Sequence, residues 1–239
     1  MVILRIIHSV YAALLFAMIV LLSFPFFFII IKSGKGRRYL PVLFGVWGNI
    51  FMYGSFLFPK FIFKAKLDPK NQYIFCPNHF SYLDIVLTGC VWHDMVWIGK
   101  KSIEKVPVFG FIYKNLNILV DRKSLRSSLA VIEKSKEVLK RGQSLVIFPE
   151  GGIKSRKPPE LASFRDGAFV IAKDTGIPLV PVSILHTWKI LPKSNKPLLK
   201  WGRPVVIFHE PFKTDQLSLH SIEELKEMTK AKIEEGLKQ

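Results

Sequence analysis

The segment "YIFCPNHFSYLD" at residues 73–84 joins an apolar run to a polar turn. An apolar run that stops at a proline is typical of a buried strand, because proline cannot continue a ladder of backbone hydrogen bonds. His79 and Asp84 then follow five positions apart, whereas a regular helix aligns only side chains three or four positions apart. The segment therefore predicts a strand that ends at Pro77, a turn, and a helix that carries Asp84 in its first turn.

A second strand of the same kind is predicted at 144–152, "SLVIFPEGG", where it stops at Pro149. Between the two strands, Ser124 is placed to cap the start of a helix and Gly142 to close its end. Strand, helix and strand in this order predict a βαβ unit, the building block of an α/β sheet.

Two further strands are predicted at 177–185 and 203–212, and the capping-box spacing of Ser221 and Glu224 predicts a C-terminal helix. The predicted fold class is α/β, with a single sheet covered by helices and preceded by a hydrophobic helical segment.

Residues 1–60 are predicted to bind a membrane, and residues 61–239 to form the α/β domain. The run 10–31 has no charge over 22 residues, and a helix of that length is about 33 Å long, enough to cross a bilayer. Pro25 leaves open a kinked helix that embeds in one leaflet. For the second uncharged stretch, 39–59, an interfacial helix is preferred to a second span.

Basic residues follow the first apolar run more densely than they precede it. This asymmetry predicts an inner-membrane protein whose α/β domain lies on the cytoplasmic face. The residues concerned are Lys32, Lys35, Arg37 and Arg38, against Arg5 upstream.

The chain of 239 residues carries 35 Lys and Arg against 18 Asp and Glu, a formal charge of +17. Such a charge favours phosphate-rich partners, and the apolar N-terminal third favours lipid over nucleic acid. Cys76 and Cys90 form no metal-binding pattern and are predicted to be free buried thiols in a reducing compartment.

Polar side chains follow three of the predicted strands, where functional groups of α/β sheets collect. Asn78 and His79 follow the first, Arg122 follows "LNILV", and Glu150 follows "LVIFP". A neutral imidazole can take a proton from an alcohol near neutral pH, and a carboxylate on its other nitrogen stabilises the resulting cation. His79 and Asp84 are predicted to form that pair.

Four blocks of sequence occur in the order found in the glycerolipid acyltransferases that include 1-acyl-glycerol-3-phosphate acyltransferase. "NHFSYLD" resembles the N-H-x-S-x-x-D block, and residues 99–124 resemble the second, with a lysine, a P-x-F-G turn and a terminal arginine. "FPEGG" resembles the F-P-E-G block and "VPVSI" the fourth. The resemblance covers residues 70–190.

This resemblance implies that His79 is the general base and Asp84 its orienting partner. Acyl-CoA or acyl carrier protein would be the co-substrate, with no cofactor or metal. The positions that match substrate-binding residues are Asn78, Ser81, Lys100, Arg122, Glu150, Gly151 and Pro181. Among these, Lys100 and Arg122 would hold the phosphate of the acceptor, while Glu150 and Gly151 would hold its glycerol end and leave backbone amides open to the reacting centre.

The third block departs from the family, which often continues with threonine, arginine and serine. This chain has Gly152 and Ile153 there, and Lys154 or Arg156 is the candidate replacement for the arginine. The expected acceptor is a lysophospholipid, in the first place lysophosphatidic acid, whose acylation gives phosphatidic acid. The alternatives are another lysolipid acceptor, or a basic protein without enzyme activity that binds anionic lipid. Four further histidines are candidate metal ligands by residue type, but no carboxylate or cysteine stands out at metal-ligand spacing from them, and they are predicted to be structural: His93, His186, His209 and His220.

Overall fold

The computed structural model of the protein describes residues 2–122, 124–194 and 197–239. Within those residues, seven strands form one sheet in the order β1-β7-β6-β2-β5-β3-β4. The strands are β1 (Lys60–Phe63), β2 (Ile74–Pro77), β3 (Met95–Lys100), β4 (Ile118–Val120), β5 (Ser144–Val146), β6 (Leu179–Leu185) and β7 (Val205–Phe208). Neighbours pair in parallel except β6 and β7, which are antiparallel. The predicted α/β class with a single sheet is confirmed.

The helices cover both faces of this sheet. They are α1 (Val2–Ser33), α2 (Leu40–Gly54), α3 (Leu83–Gly89), α4 (Phe109–Leu116), α5 (Leu125–Lys140), α6 (Gly167–Thr175), α7 (Thr187–Ile190), α8 (Thr214–Leu219) and α9 (Ile222–Leu237). Both predicted caps are present: Ser124 Oγ accepts a hydrogen bond from the amide of Ser127 at 3.1 Å, and Ser221 forms a reciprocal capping box with Glu224.

Alternate residues of the central strands enter two different apolar cores. In β2 and just before it, Tyr73 and Phe75 pack with residues of α1 to α4, whereas Ile74 and Cys76 pack with residues of α5, α6 and α9. Because both faces are covered, the strands have no polar face and appear in the sequence as continuous apolar runs. Cys76 and Cys90 are free and buried, as predicted.

Two strands were not predicted, and the predicted ones are shorter than expected. The sheet edge strand β1 is only four residues long and partly exposed, and β3 leads into the second sequence block, which begins at residue 99. β5 ends at Val146 and β7 covers only Val205–Phe208, because pairing with neighbours limits each strand. The spacing of apolar residues in the sequence does not show where pairing between strands stops.

Helix α1 continues through Pro25 and is long and apolar enough, by length and composition, to cross a membrane. Helix α2, at 15 residues, is too short to do so and packs against α3. Met52 of α2 and Leu87 of α3 belong to the same apolar core. The functional boundary at residue 60 stays a prediction, since the segments on its two sides share this core.

Candidate active site

The turn after β2 brings His79 and Asp84 together. Asp84 lies in the first turn of α3, and its Oδ2 is 3.0 Å from Nδ1 of His79. The same oxygen accepts the backbone amides of Phe80 at 2.7 Å and Ser81 at 2.8 Å, so the carboxylate closes the turn. Because a carboxylate accepts hydrogen bonds, Nδ1 carries the proton and Nε2 is left as the acceptor. The predicted spatial contact is therefore present.

Glu150 lies buried beside this turn and holds it in place. Its Oε1 accepts the backbone amide of His79 at 2.7 Å, and its Oε2 accepts that of Ala162 at 3.0 Å. Burial raises the pKa of the Glu150 carboxyl, while the two amides oppose that shift. The ring of His79 also stacks on Phe148 with centroids 4.1 Å apart. This geometry favours a positioning role for Glu150 over the expected contact with glycerol.

Three other residues expected to bind substrate are buried in the framework of the site. The Asn78 amide exchanges hydrogen bonds with the backbone of Ile184 in β6, at 2.7 and 3.0 Å. Ser81 Oγ donates to the carbonyl of Leu191 at 2.8 Å, and Pro181 lies within β6. Their direct contact with substrate stays a prediction, and their partners favour the role of fixing the histidine turn.

Two arginines lie over the glycines that follow Glu150. A Cβ atom added to Gly151 would lie 2.8 Å from Nε of Arg165, and one added to Gly152 would lie 2.5 Å from Nη1 of Arg122. Both glycines have positive φ, +68° and +137°, which side chains rarely adopt. The departure from the family pattern at Gly152 thus makes room for the Arg122 guanidinium. The amide of Gly151 already donates to the carbonyl of Phe148 at 2.9 Å, which counts against the expected open amide there.

A third cation completes this group. Burial, followed by the charges of Arg165 and Arg122, lowers the pKa of Lys154, so it lies within electrostatic reach of both arginines. Burial and Arg165 likewise lower the pKa of Arg122. Among the described residues, no carboxylate lies within salt-bridge distance of Arg122, Arg165 or Lys154. Uncompensated cations in one place favour an anionic ligand.

The other predicted cations have different surroundings. Lys100, the exposed last residue of β3, is paired with Val120 of β4, two residues before Arg122, so it lies at the same edge of the sheet. Lys154 and Arg156 are both exposed. The charges of Arg165 and Arg122 contribute to the lowered pKa of Lys154, which favours Lys154 as the replacement for the family arginine.

Sequence reasoning missed Arg165. It lies beyond the third block, in "SFRDG" just before α6, and its amide bonds the carbonyl of Pro149 at 2.9 Å. The sequence signal that could have identified Arg165 is its position two residues before Gly167, the first residue of α6.

The candidate structural histidines differ from one another. The half-buried His93 and the buried His209 hydrogen-bond the hydroxyls of Ser144 and Ser183, each at 2.8 Å, which fits structural histidines. His186 instead lines a surface cavity after β6.

The stretch of the chain that is similar to known proteins contains the site residues described above. The family model described as Acyltransferase matches residues 59–185, more than half of the chain. A chloroplastic 1-acyl-sn-glycerol-3-phosphate acyltransferase of Arabidopsis thaliana is 27% identical over 195 residues, which are 81% of this chain and 54% of that protein. A lyso-ornithine lipid O-acyltransferase of Pseudomonas aeruginosa is 25% identical over 131 residues, 55% of this chain and 50% of that protein.

Among solved structures, the 1-acyl-sn-glycerophosphate acyltransferase of Thermotoga maritima matches with a TM-score of 0.78 and 25% identity. The match covers 97% of this chain and 95% of that one. The chain spans about half the length of the curated relatives it matches.

Proposed function

The chain belongs to the acyltransferase family, and from that premise we propose that it moves a fatty acyl chain from an acyl thioester to the free hydroxyl of 1-acyl-glycerol-3-phosphate, giving phosphatidic acid. The observation that carries the proposal is the His79–Asp84 pair beside three cations, Arg122, Arg165 and Lys154, that have no carboxylate partner among the described residues. The named activity of the relatives from Arabidopsis and Thermotoga supports the same assignment.

The proposed chemistry needs one base and no covalent acyl-enzyme. The acceptor hydroxyl gives its proton to Nε2 of His79 while its oxygen bonds to the thioester carbonyl carbon. Collapse of the tetrahedral adduct breaks the C–S bond, and the imidazolium returns the proton to the departing thiolate. Asp84 stabilises the imidazolium between these steps, because its oxygen lies 3.0 Å from Nδ1. The products are an ester and a free thiol.

The three cations supply a site for the phosphomonoester of the acceptor. Arginine presents a planar fork that suits phosphate oxygens, and lysine adds a point charge. Arg122 is half-buried, so a phosphate that binds it loses less of the interaction to solvent screening than at an exposed site.

An acceptor panel with purified protein and one labelled acyl-CoA tests the proposal. Lysophosphatidic acid should be acylated, and Arg122→Gln should raise its KM by about 10- to 100-fold, the value of a lost hydrogen bond between charged groups. The matched control is Arg141→Gln, an exposed arginine at the end of α5, which should leave KM unchanged. Absence of transfer to lysophosphatidic acid, or an equal effect of both variants, would contradict the proposal.

The second candidate acceptor is a lysolipid without a phosphomonoester, and the Pseudomonas relative named for lyso-ornithine lipid favours including it. With such an acceptor Arg122→Gln should have little effect. Faster acylation of lyso-ornithine lipid than of lysophosphatidic acid would select this candidate.

Helix α1 touches the catalytic domain along its length, which supports embedding in one leaflet of the inner membrane over spanning. Near its start, Ser9 Oγ accepts the amide of Leu199 at 2.8 Å, and near its end Phe28 packs on Phe111 of α4 with ring centroids 5.9 Å apart. Between them, Phe16 packs on Phe109 at 5.7 Å. A helix that crossed the bilayer would have to leave the domain, because about 20 residues would lie in hydrocarbon.

The outer surface of α1 and α2 is apolar and exposed. Its exposed side chains include Ile3, Leu4, Ile7, Val10, Leu14, Met18, Leu21, Leu22, Phe26, Ile29, Val42, Val46, Ile50 and Tyr53. Such a surface binds at the boundary between head groups and acyl chains, and the basic residues after α1 add attraction to an anionic, cytoplasmic leaflet.

Depth-dependent quenching of a fluorophore on single introduced cysteines distinguishes embedding from spanning. Labels at Leu4→Cys, Leu14→Cys, Leu22→Cys and Ile29→Cys should all report similar shallow depths in lipid vesicles. Cys76 and Cys90 are buried, so they should not take the label, and Leu129→Cys on α5 is the exposed control that lipid should not quench. A deep middle with shallow ends would contradict embedding.

A further inference from the structure

A surface cavity of about 530 Å³ lies next to the candidate active site but outside it. Its lining comes from the segment between the end of β6 and the start of β7. β6 is parallel to β2, and Leu185 at its end pairs with Val205 at the start of the antiparallel β7, so this segment leaves the sheet at the same edge as the His79 turn. The cavity residue Trp188 contacts Phe80, the neighbour of His79, with ring centroids 5.3 Å apart.

The sheet order places this cavity across β2 from the group of Arg122, Arg165 and Lys154. β6 and β7 lie on one side of β2, whereas β5, β3 and β4, which carry or precede the acceptor residues, lie on the other. In the proposed reaction the acceptor hydroxyl and the donor thioester meet beside Nε2 of His79, so the acceptor and the donor must approach that atom from different directions. If the acceptor phosphate occupies the arginines, the side of β6 is left for the donor.

The lining combines cations with flat aromatic rings. Lys189, Lys200 and Arg203 are exposed, and within the described part of the chain none of them lies within salt-bridge distance of a carboxylate. The segment 186–204 has five Lys or Arg and no Asp or Glu. Trp201 is stacked on His8 of α1 at 4.6 Å, yet 52% of its surface is exposed.

We propose that this cavity binds the nucleotide end of an acyl-CoA donor, with the base against the tryptophans and the phosphates on Lys189, Lys200 and Arg203. The inference deepens the proposed function and rests on it. A heteroaromatic base stacks on aromatic side chains, and phosphates bind exposed Lys and Arg, so the lining matches both parts of one ligand. A phospholipid head group would use the cations but leaves the tryptophan surfaces without a base, and the volume is that of a small-molecule site.

Donor discrimination tests this proposal. Wild-type protein should use acyl-CoA with a higher kcat/KM than the matching acyl-pantetheine, which has the thioester but lacks the nucleotide. The double variant Lys200→Gln/Arg203→Gln should lose about tenfold of that preference, as expected for two exposed cation–phosphate contacts. The control double variant Lys134→Gln/Lys140→Gln removes the same charge from exposed positions of α5 and should retain the preference.

Binding of CoA itself, followed by calorimetry without an acceptor, separates this inference from the proposed function. Weaker CoA binding by the Lys200/Arg203 variant, with normal binding by the control, supports the cavity even if lysophosphatidic acid proves not to be the acceptor. Three results would overturn it: equal use of both donors by wild type, a defect confined to acyl carrier protein donors, or a defect only in binding to anionic vesicles.

Discussion

Replacing His79 with alanine should reduce kcat by about 10²- to 10⁴-fold, because the substitution removes the proposed general base. The measurement is transfer of a labelled acyl group from acyl-CoA to lysophosphatidic acid by purified protein. The KM of the acceptor should change little, since the cations proposed to hold its phosphate lie after β4, in the loop after β5 and in the segment before α6. The variant should remain membrane-bound.

Loss of the His79 ring also removes a buried contact with Phe148, so folding needs its own control. A thermal unfolding curve of the variant separates lost chemistry from lost structure. His220→Ala is the matched variant, because that histidine is partly exposed and interacts with Glu224 away from the site. It should keep wild-type kcat. A His79→Ala protein that retains more than a tenth of wild-type kcat would remove the proposed base.

Replacing Asp84 with asparagine should also reduce kcat by about 10²- to 10⁴-fold, through the orientation of the imidazole. Asp84 Oδ2 receives three hydrogen bonds, from the ring of His79 and from the amides of Phe80 and Ser81. An amide oxygen in its place is neutral and stabilises the imidazolium less. If the NH₂ group took that place instead, it would face three donors. Both arrangements disfavour proton transfer at Nε2.

The double variant His79→Ala/Asp84→Asn shows whether the two residues act as a unit. Without the imidazole, the carboxylate has no proton-transfer role left, so the double variant should be no slower than His79→Ala alone. If the fold-reduction in kcat of the double variant equals the product of the two single fold-reductions, Asp84 acts independently of His79 and the paired role is wrong. Asp68→Asn, on an exposed loop after β1, is the matched control and should leave kcat unchanged.

Local sequence determined much of the site because its central contacts are short-range. His79 and Asp84 are separated by one turn of chain, and the caps at Ser124 and Ser221 act within three residues. Interactions at this range depend on residue type and spacing, so the turn, the helix starts and the candidate base could be predicted. The α/β class followed from the order of apolar strands and helices.

The roles of several residues depended on partners far along the chain. Glu150 lies 71 positions from His79 and Asn78 lies 106 positions from Ile184, so no spacing pattern in the sequence predicts these hydrogen bonds around the histidine turn. The closeness of Arg165 to Gly151, and of Arg122 to Gly152, likewise depends on how the loops pack.

The strand-turn-helix at 73–84, the excess of positive charge and the apolar N-terminal segment follow from neighbouring residues or from composition, and could therefore be predicted from the amino-acid sequence. Long-range packing sets which cations gather near His79, that α1 lies along the domain, and that the segment after β6 forms a cavity across β2 from the arginines. The physical reason is that strand order and loop packing are set by the burial of the whole core, to which every segment contributes at once.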